Sequence, residues 1–125
     1  MDKIKSFTDL IAWQKGHLLV VEIYKTLERF PNIEKFALSD QMRRSSVSIT
    51  SNIAEGFSRN SQKEKIQFFY LSLGSLTELQ NQLLVSRDVG YLEKTKFKEI
   101  AEQSVEVDKI IRGLIKSLTN KEAKY

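Results

Sequence analysis

Five of the seven residues from Ser45 to Ser51 are serine or threonine, yet the apolar residues around them recur with the period of a helix. At about 100° per residue, Leu38, Met42, Ile49 and Ile53 share one narrow stripe, with Ser45, Ser46 and Gly56 beside it. Serine and threonine compete for backbone hydrogen bonds and are mediocre helix formers, so propensity does not hold this segment in a helix. Small side chains on several faces let neighbouring helices approach closely. The stretch therefore reads as a central helix enclosed by others, its serines packing residues rather than ligands or nucleophiles.

The rest of the chain supplies the neighbours. A first helix is predicted over about residues 8–29, with Leu10, Trp13, His17, Val20, Tyr24 and Leu27 facing the core, and Pro31 ends it. Leu18 to Val21 sweeps about 300° of that helix, wider than one core-facing stripe requires, which implies a second apolar contact. The central helix spans about residues 39–56, with Ser39 as N-cap and Gly56 as the left-handed residue after its end. Ser61 and Glu64 form a capping box at the head of a third helix, about residues 61–89, which Gly90 terminates. Phe68, Phe69 and Tyr70 span about 200°, so at least one is predicted to face another subunit.

A fourth helix, about residues 95–120, turns Phe97, Ile100, Ser104, Val107, Ile111, Leu114 and Leu118 inward, and Lys121 to Tyr125 are expected to fray. Helices of this length joined by short loops predict an all-α fold, an up-down-up-down antiparallel four-helix bundle. The 125 residues are expected to form one domain.

Much chemistry is disfavoured. The chain has no cysteine, hence no disulfide, thiolate zinc site or thiol nucleophile. Its longest apolar runs, Leu18 to Val21 among them, are four residues and too short to span a bilayer, and Met1 to Ser6 lacks the apolar segment of a secretory signal. A soluble, cytoplasmic protein with no membrane partner is expected. The single histidine, His17, has no glutamate three residues before it, so the paired Glu-x-x-His ligands of bundle di-metal sites are missing. His17 is predicted to be partly buried in the apolar stripe. There is no phosphate-binding glycine loop and no nucleophile elbow, and Ser48 and Ser51 have no histidine partner nearby in sequence. No enzyme, catalytic residue, metal or cofactor is predicted.

The basic residues carry more information. Twenty Lys and Arg against sixteen Asp and Glu give a formal charge of +4, enough to favour a polyanion. On the fourth helix Lys98, Lys109, Arg112 and Lys116 fall within about 60° of one another, opposite Ile100, Ile111 and Leu118, although Glu102 lies among them. Arg43 and Arg44 begin the central helix, where the helix dipole disfavours positive charge. A partner is expected there, with Glu55 and Glu78 as candidates. Arg44 and Glu55 lie about 16 Å apart along one helix, so another helix, another subunit or an external ligand must supply the contact.

Arg43, Arg44, Arg59, Lys98, Lys109, Arg112 and Lys116 are therefore the candidate residues for binding RNA or DNA. In the opposing reading the arginines are structural, within a protein-interaction scaffold. Loss of Arg44 from a partly buried pair would then cost on the order of 3 kcal/mol.

Three segments carry a family resemblance: Phe7-x-Asp9-Leu10-x-x-Trp13-Gln14, then Gln41-x-Arg43-Arg44-x-x-x-Ser48-Ile49-x-x-Asn52-Ile53-Ala54-Glu55-Gly56, then Gly74-Ser75-Leu76-x-Glu78-Leu79. With Phe30-Pro31 and Gly90-Tyr91-Leu92 they cover nearly the whole chain. The pattern resembles the proteins encoded by intervening sequences within bacterial 23S ribosomal RNA genes. That resemblance implies four antiparallel helices, a ring-like homopentamer and no known enzymatic activity. The related accessory proteins of diversity-generating retroelements are similar in fold and ring, and bind nucleic acid and a reverse transcriptase through basic surfaces.

Overall fold

The computed structural model describes residues 3–123, with side chains as far as residue 120. Among the described residues there are four helices and no strand: α1 (Ile11–Leu27), α2 (Leu38–Ser58), α3 (Gln62–Asp88) and α4 (Lys94–Ala123), with 3-10 turns at Phe7–Asp9 and Asn32–Glu34. Each helix packs on its neighbour in sequence and α4 closes on α1, whereas α1 and α3, like α2 and α4, lie on diagonals without contact. This is the expected up-down-up-down bundle.

Helix α2 holds its place by packing rather than propensity. Met42, Ile49 and Ile53 are fully buried, and Ser45, Ser46, Thr50 and Gly56 are buried with them. Toward α1, a Cβ built on Gly16 would approach Thr50 Cγ2 to 3.1 Å; toward α3, a Cβ on Gly56 would approach Phe69 Cε1 to 2.7 Å. The serines bridge to α3. Ser45 Oγ donates to Gln82 Oε1 at 2.7 Å, Ser72 Oγ donates to the Ile49 carbonyl at 2.7 Å, and the Ser48 and Ser75 hydroxyls are 2.7 Å apart. Close approach and interhelical hydrogen bonds thus offset the weak helical preference of the run.

Several local expectations change. The first helix is interrupted: Ser6 and Asp9 form a reciprocal capping box around the Phe7–Asp9 turn, and Leu10 is extended before α1 begins. The core face of α1 is Ala12, Gly16, Leu19, Val20, Ile23 and Leu27, turned about a quarter-circle from the stripe read in sequence. His17 and Tyr24 are exposed. The four-residue apolar run from Leu18 fits either stripe, and the small residues Ala12 and Gly16 decide for the one that admits α2 closely.

Ser39 is not a cap but a buried first-turn residue; α2 starts at Leu38, whose amide is accepted by Glu34 Oε1 at 3.3 Å. Gly56 lies inside α2 rather than after it, and its need for glycine is steric. The left-handed glycine is Gly90, at φ +89°, as expected after α3. Ser61 caps α3 by accepting from the Glu64 amide at 3.1 Å. Helix α4 is described to Ala123, past the point where fraying was expected; residues 124 and 125 lie outside the described part.

Candidate nucleic-acid interface

The predicted basic residues fall into two groups on opposite sides of the bundle. Lys98, Lys109, Arg112 and Lys116 are all exposed on the outer face of α4, a strip about 27 Å long. Arg43 and Arg44 belong to α2 and Arg59 follows its last residue, on the diagonal from α4. No single surface holds all seven.

Pairing divides them further. Arg44 Nε donates to Asp40 at 3.0 Å, Arg59 Nη2 to Glu55 at 2.8 Å and Arg112 Nε to Asp108 at 3.0 Å, each one helical turn back along the chain. Arg43 Nη2 donates to the Lys35 carbonyl at 2.9 Å, tying the start of α2 to the preceding connection. Neither Glu55 nor Glu78 compensates Arg44; Asp40 does, from the first turn of the same helix. Because the Arg44 side chain is 79% exposed, this is a surface pair and not the partly buried one expected. The Arg59 guanidinium also lies 4.5 Å from the Phe68 ring centroid, which covers one of the three consecutive aromatics; Phe69 is buried and Tyr70 exposed.

On α4 the lysines stand apart from the arginines. Lys98, Lys109 and Lys116 form no ion pair among the described residues, while neighbouring carboxylates are engaged elsewhere: Asp108 by Arg112, Glu106 by Lys15 at 3.3 Å. Glu102 remains among the lysines. With Arg112 paired and Glu102 set against three lysines, the strip keeps a net positive charge.

The chemistry-bearing residues weighed in sequence are occupied by structure. His17 stacks on Trp13 with ring centroids 4.6 Å apart and planes 13° from parallel, and Phe7 meets the same indole edge-on. Ser48 is bonded to Ser75 and accepts from Asn52 Nδ2 at 3.1 Å, while Ser51 is exposed. Among the described residues no group of three potential metal ligands comes together, and no helix is long and apolar enough to cross a membrane.

Two apolar faces are left uncovered. On α1 they are Ile11, Leu18, Val21 and Tyr24; on α3, Tyr70, Leu71, Leu84 and Val85, with Val89 just past its end. Leu18 and Val21 are the residues of the four-residue run that the core does not take, and Leu19 and Val20 those that it does.

The family model for the 23S rRNA-intervening sequence protein matches residues 8–113. The chain belongs to this family. The match runs from before α1 well into α4 and takes in every basic candidate except Lys116. Among solved structures, a protein of unknown function from the S23 ribosomal protein family of Bacteroides thetaiotaomicron is 25% identical, with a TM-score of 0.79 over 85% of this chain and 96% of that one. No functionally curated protein matches. The intervening-sequence family membership agrees with the resemblance carried by the Gln41 to Gly56 segment, whose serines and Gly56 make the α2 contacts described above.

One group of charges escaped the sequence reading. Lys25 and Arg29, at the end of α1 and just after it, meet Lys96 of α4 only through the fold, together with Glu22, Glu93 and Glu99. Its hydrogen bond to Glu22 holds the Lys96 ammonium above the ordinary lysine range, with Glu99 adding to the effect.

Proposed function

We propose that this intervening-sequence family member is a non-catalytic, cytoplasmic homo-oligomer, a pentameric ring in keeping with the family resemblance, that associates with RNA through the outer face of α4. The observation that carries the RNA reading is the strip of Lys98, Lys109 and Lys116, exposed and unpaired, on a helix whose opposite face is core. The family's name, which ties it to 23S rRNA, supports the choice of RNA over other polyanions.

Self-association rests on the apolar faces of α1 and α3. Because they lie on diagonal helices they point away from each other, so one copy's α1 face can cover the next copy's α3 face. Two different patches meeting head to tail generate a closed ring when the rotation permits, and such a ring buries both faces of every copy.

The test is an RNA titration across salt concentrations. Each phosphate contact contributes about 0.7 to the slope of log affinity against log salt for a single strand, so replacing all three lysines by alanine flattens the slope by about 2. Helicity stays unchanged. An unaltered slope contradicts the assignment of this face. The pairing of Arg44, Arg59 and Arg112 along their own helices supports a second reading, a protein-interaction scaffold or an accessory subunit of a retroelement reverse transcriptase. In a pure scaffold, wild type and the triple variant bind RNA equally poorly.

A further inference from the structure

The apolar stripe on the outer face of α3 is interrupted by one charge. Leu71, Glu78 and Val85 recur every seven residues and so stand in line along the helix, all three exposed. A carboxylate between two apolar side chains loses its hydration when that face is covered, so whatever covers the face has to bring a cation. None comes from within the copy, because Glu78 forms no ion pair among the described residues.

A cation short of a partner lies on another face. Where α1 meets the outer side of α2, Tyr24, Asp40, Arg43, Arg44 and Val47 line an open groove. Tyr24 and Val47 are its exposed apolar walls. Asp40 is taken up by Arg44 at 3.0 Å. Arg43 donates to the Lys35 carbonyl and has no carboxylate among the described residues, so the groove keeps one positive charge in excess, which one glutamate would balance. Arg43 also lies about 140° round α2 from Ser48, the residue that meets α3, and so is turned toward α1 and away from the Glu78 of its own chain.

The two charges stand at nearly the same level of the bundle. Glu78 falls between Ser75 and Gln82, which bond to Ser48 and Ser45, so it is level with that turn of α2 and about one turn along the axis from Arg43. Ser72 bonds to the Ile49 carbonyl and Gly16 abuts Thr50, which puts Leu71 near the level of Leu18, and Val85 near that of Tyr24. In a head-to-tail ring whose axis runs along the bundle, rotation carries one copy onto the next without changing these levels.

We propose that Glu78 of one copy enters the α1–α2 groove of the next and pairs there with Arg43, while Leu71 and Val85 on either side cover the apolar side chains of α1. The inference rests on the head-to-tail contact of α1 with α3 proposed above and adds the charge pair that sets its register. Apolar faces alone can slide along one another, whereas a single charge in an apolar seam is satisfied at one register only. The occupant of the groove is therefore a second copy of this chain, and the pair is separate from the α4 lysine strip.

The experiment is sedimentation velocity over a concentration series, on the full-length wild type, Glu78→Arg, Arg43→Glu and a chain carrying both changes. Each single reversal sets like charges against each other and is expected to raise the concentration of half-assembly at least about tenfold. The double variant restores opposite charges at every contact and returns that concentration to within about threefold of wild type, a coupling that two unconnected sites do not show. Glu102→Arg makes the same charge change on the outer face of α4 and assembles as wild type does. Circular dichroism of the single variants shows undiminished helicity, so lost assembly is not lost folding. A wild type that stays monomeric at micromolar concentration overturns the self-association reading and this inference with it. An assembling wild type whose single reversals assemble equally well, or a double variant as weak as the single ones, overturns the Arg43–Glu78 pairing alone.

Discussion

Replacing Gly56 by alanine tests the packing of α2 more sharply than any serine substitution. A Cβ at this position would lie 2.7 Å from Phe69 Cε1, 3.0 Å from Phe69 Cδ1 and 3.1 Å from Phe68 Cβ. Carbon atoms in contact settle at about 3.5–4.0 Å, so the new methyl overlaps the ring by most of an ångström. Phe69 is 2% exposed and closed in by the core, and Phe68 Cβ cannot rotate away because it is fixed by the α3 backbone. Overpacking of this kind costs about 1–3 kcal/mol. Against it stands the helix preference of alanine over glycine, about 1 kcal/mol, since Gly56 is inside α2 and not at a left-handed position.

The net expectation is a loss of up to about 2 kcal/mol. Gly113→Ala is the control: it is also helical, but its new methyl meets nothing within 4 Å, and the variant should gain about 1 kcal/mol. At about 4 °C per kcal/mol for a domain of this size, the two variants should melt about 4–12 °C apart. Thermal unfolding followed by circular dichroism measures the gap, and Phe69→Leu should recover part of the loss when combined with Gly56→Ala. Equal stabilisation in both alanine variants would refute the close approach of α2 and α3.

Three further outcomes follow from the same geometry. Ser45→Ala strands the buried Gln82 Oε1 and should cost about 1–3 kcal/mol, whereas Ser72→Ala leaves the Ile49 carbonyl within its helix ladder and should cost nearer 1 kcal/mol; chemical denaturation separates the two. Arg44→Ala should change stability by no more than about 0.5 kcal/mol, because the pair with Asp40 is solvent-exposed, and a larger loss in the same assay would contradict that placement. Tyr91 donates to Glu34, which raises its pKa above 10.0; the bond's contribution is complete below that pH and is lost as pH rises through the folded value. Spectrophotometric titration should therefore show a late-ionising phenol that disappears in Tyr91→Phe.

The helix count, the order of the helices and the core face of α4 were legible because long amphipathic segments repeat their pattern many times. Ile100, Val107 and Ile111 are buried as their spacing predicts. On α1 the pattern is ambiguous, since Leu18 to Val21 serves either of two stripes, and the choice depends on Gly16 meeting Thr50 on another helix. Gly56 misled for a related reason: a glycine that ends a helix and one that admits an aromatic ring look alike in one dimension. The α4 strip could be read from periodicity alone. The pairing of Arg44 with Asp40 follows the ordinary one-turn spacing along a helix and was open to the same reading. The meeting of Lys25 and Arg29 with Lys96 was not, because these residues lie about 70 apart in sequence.

If the α1 face of one copy covers the α3 face of the next, sedimentation velocity of mixed variants will show it. One variant carries Leu18→Glu and Val21→Glu, the other Leu71→Glu and Val85→Glu, all at exposed positions. At micromolar concentration the wild type should sediment as a species larger than a dimer, each variant alone as a folded monomer, and their equimolar mixture as a one-to-one heterodimer joined by the one intact pair of faces. A monomeric wild type, or a dimer formed by either variant alone, would contradict it.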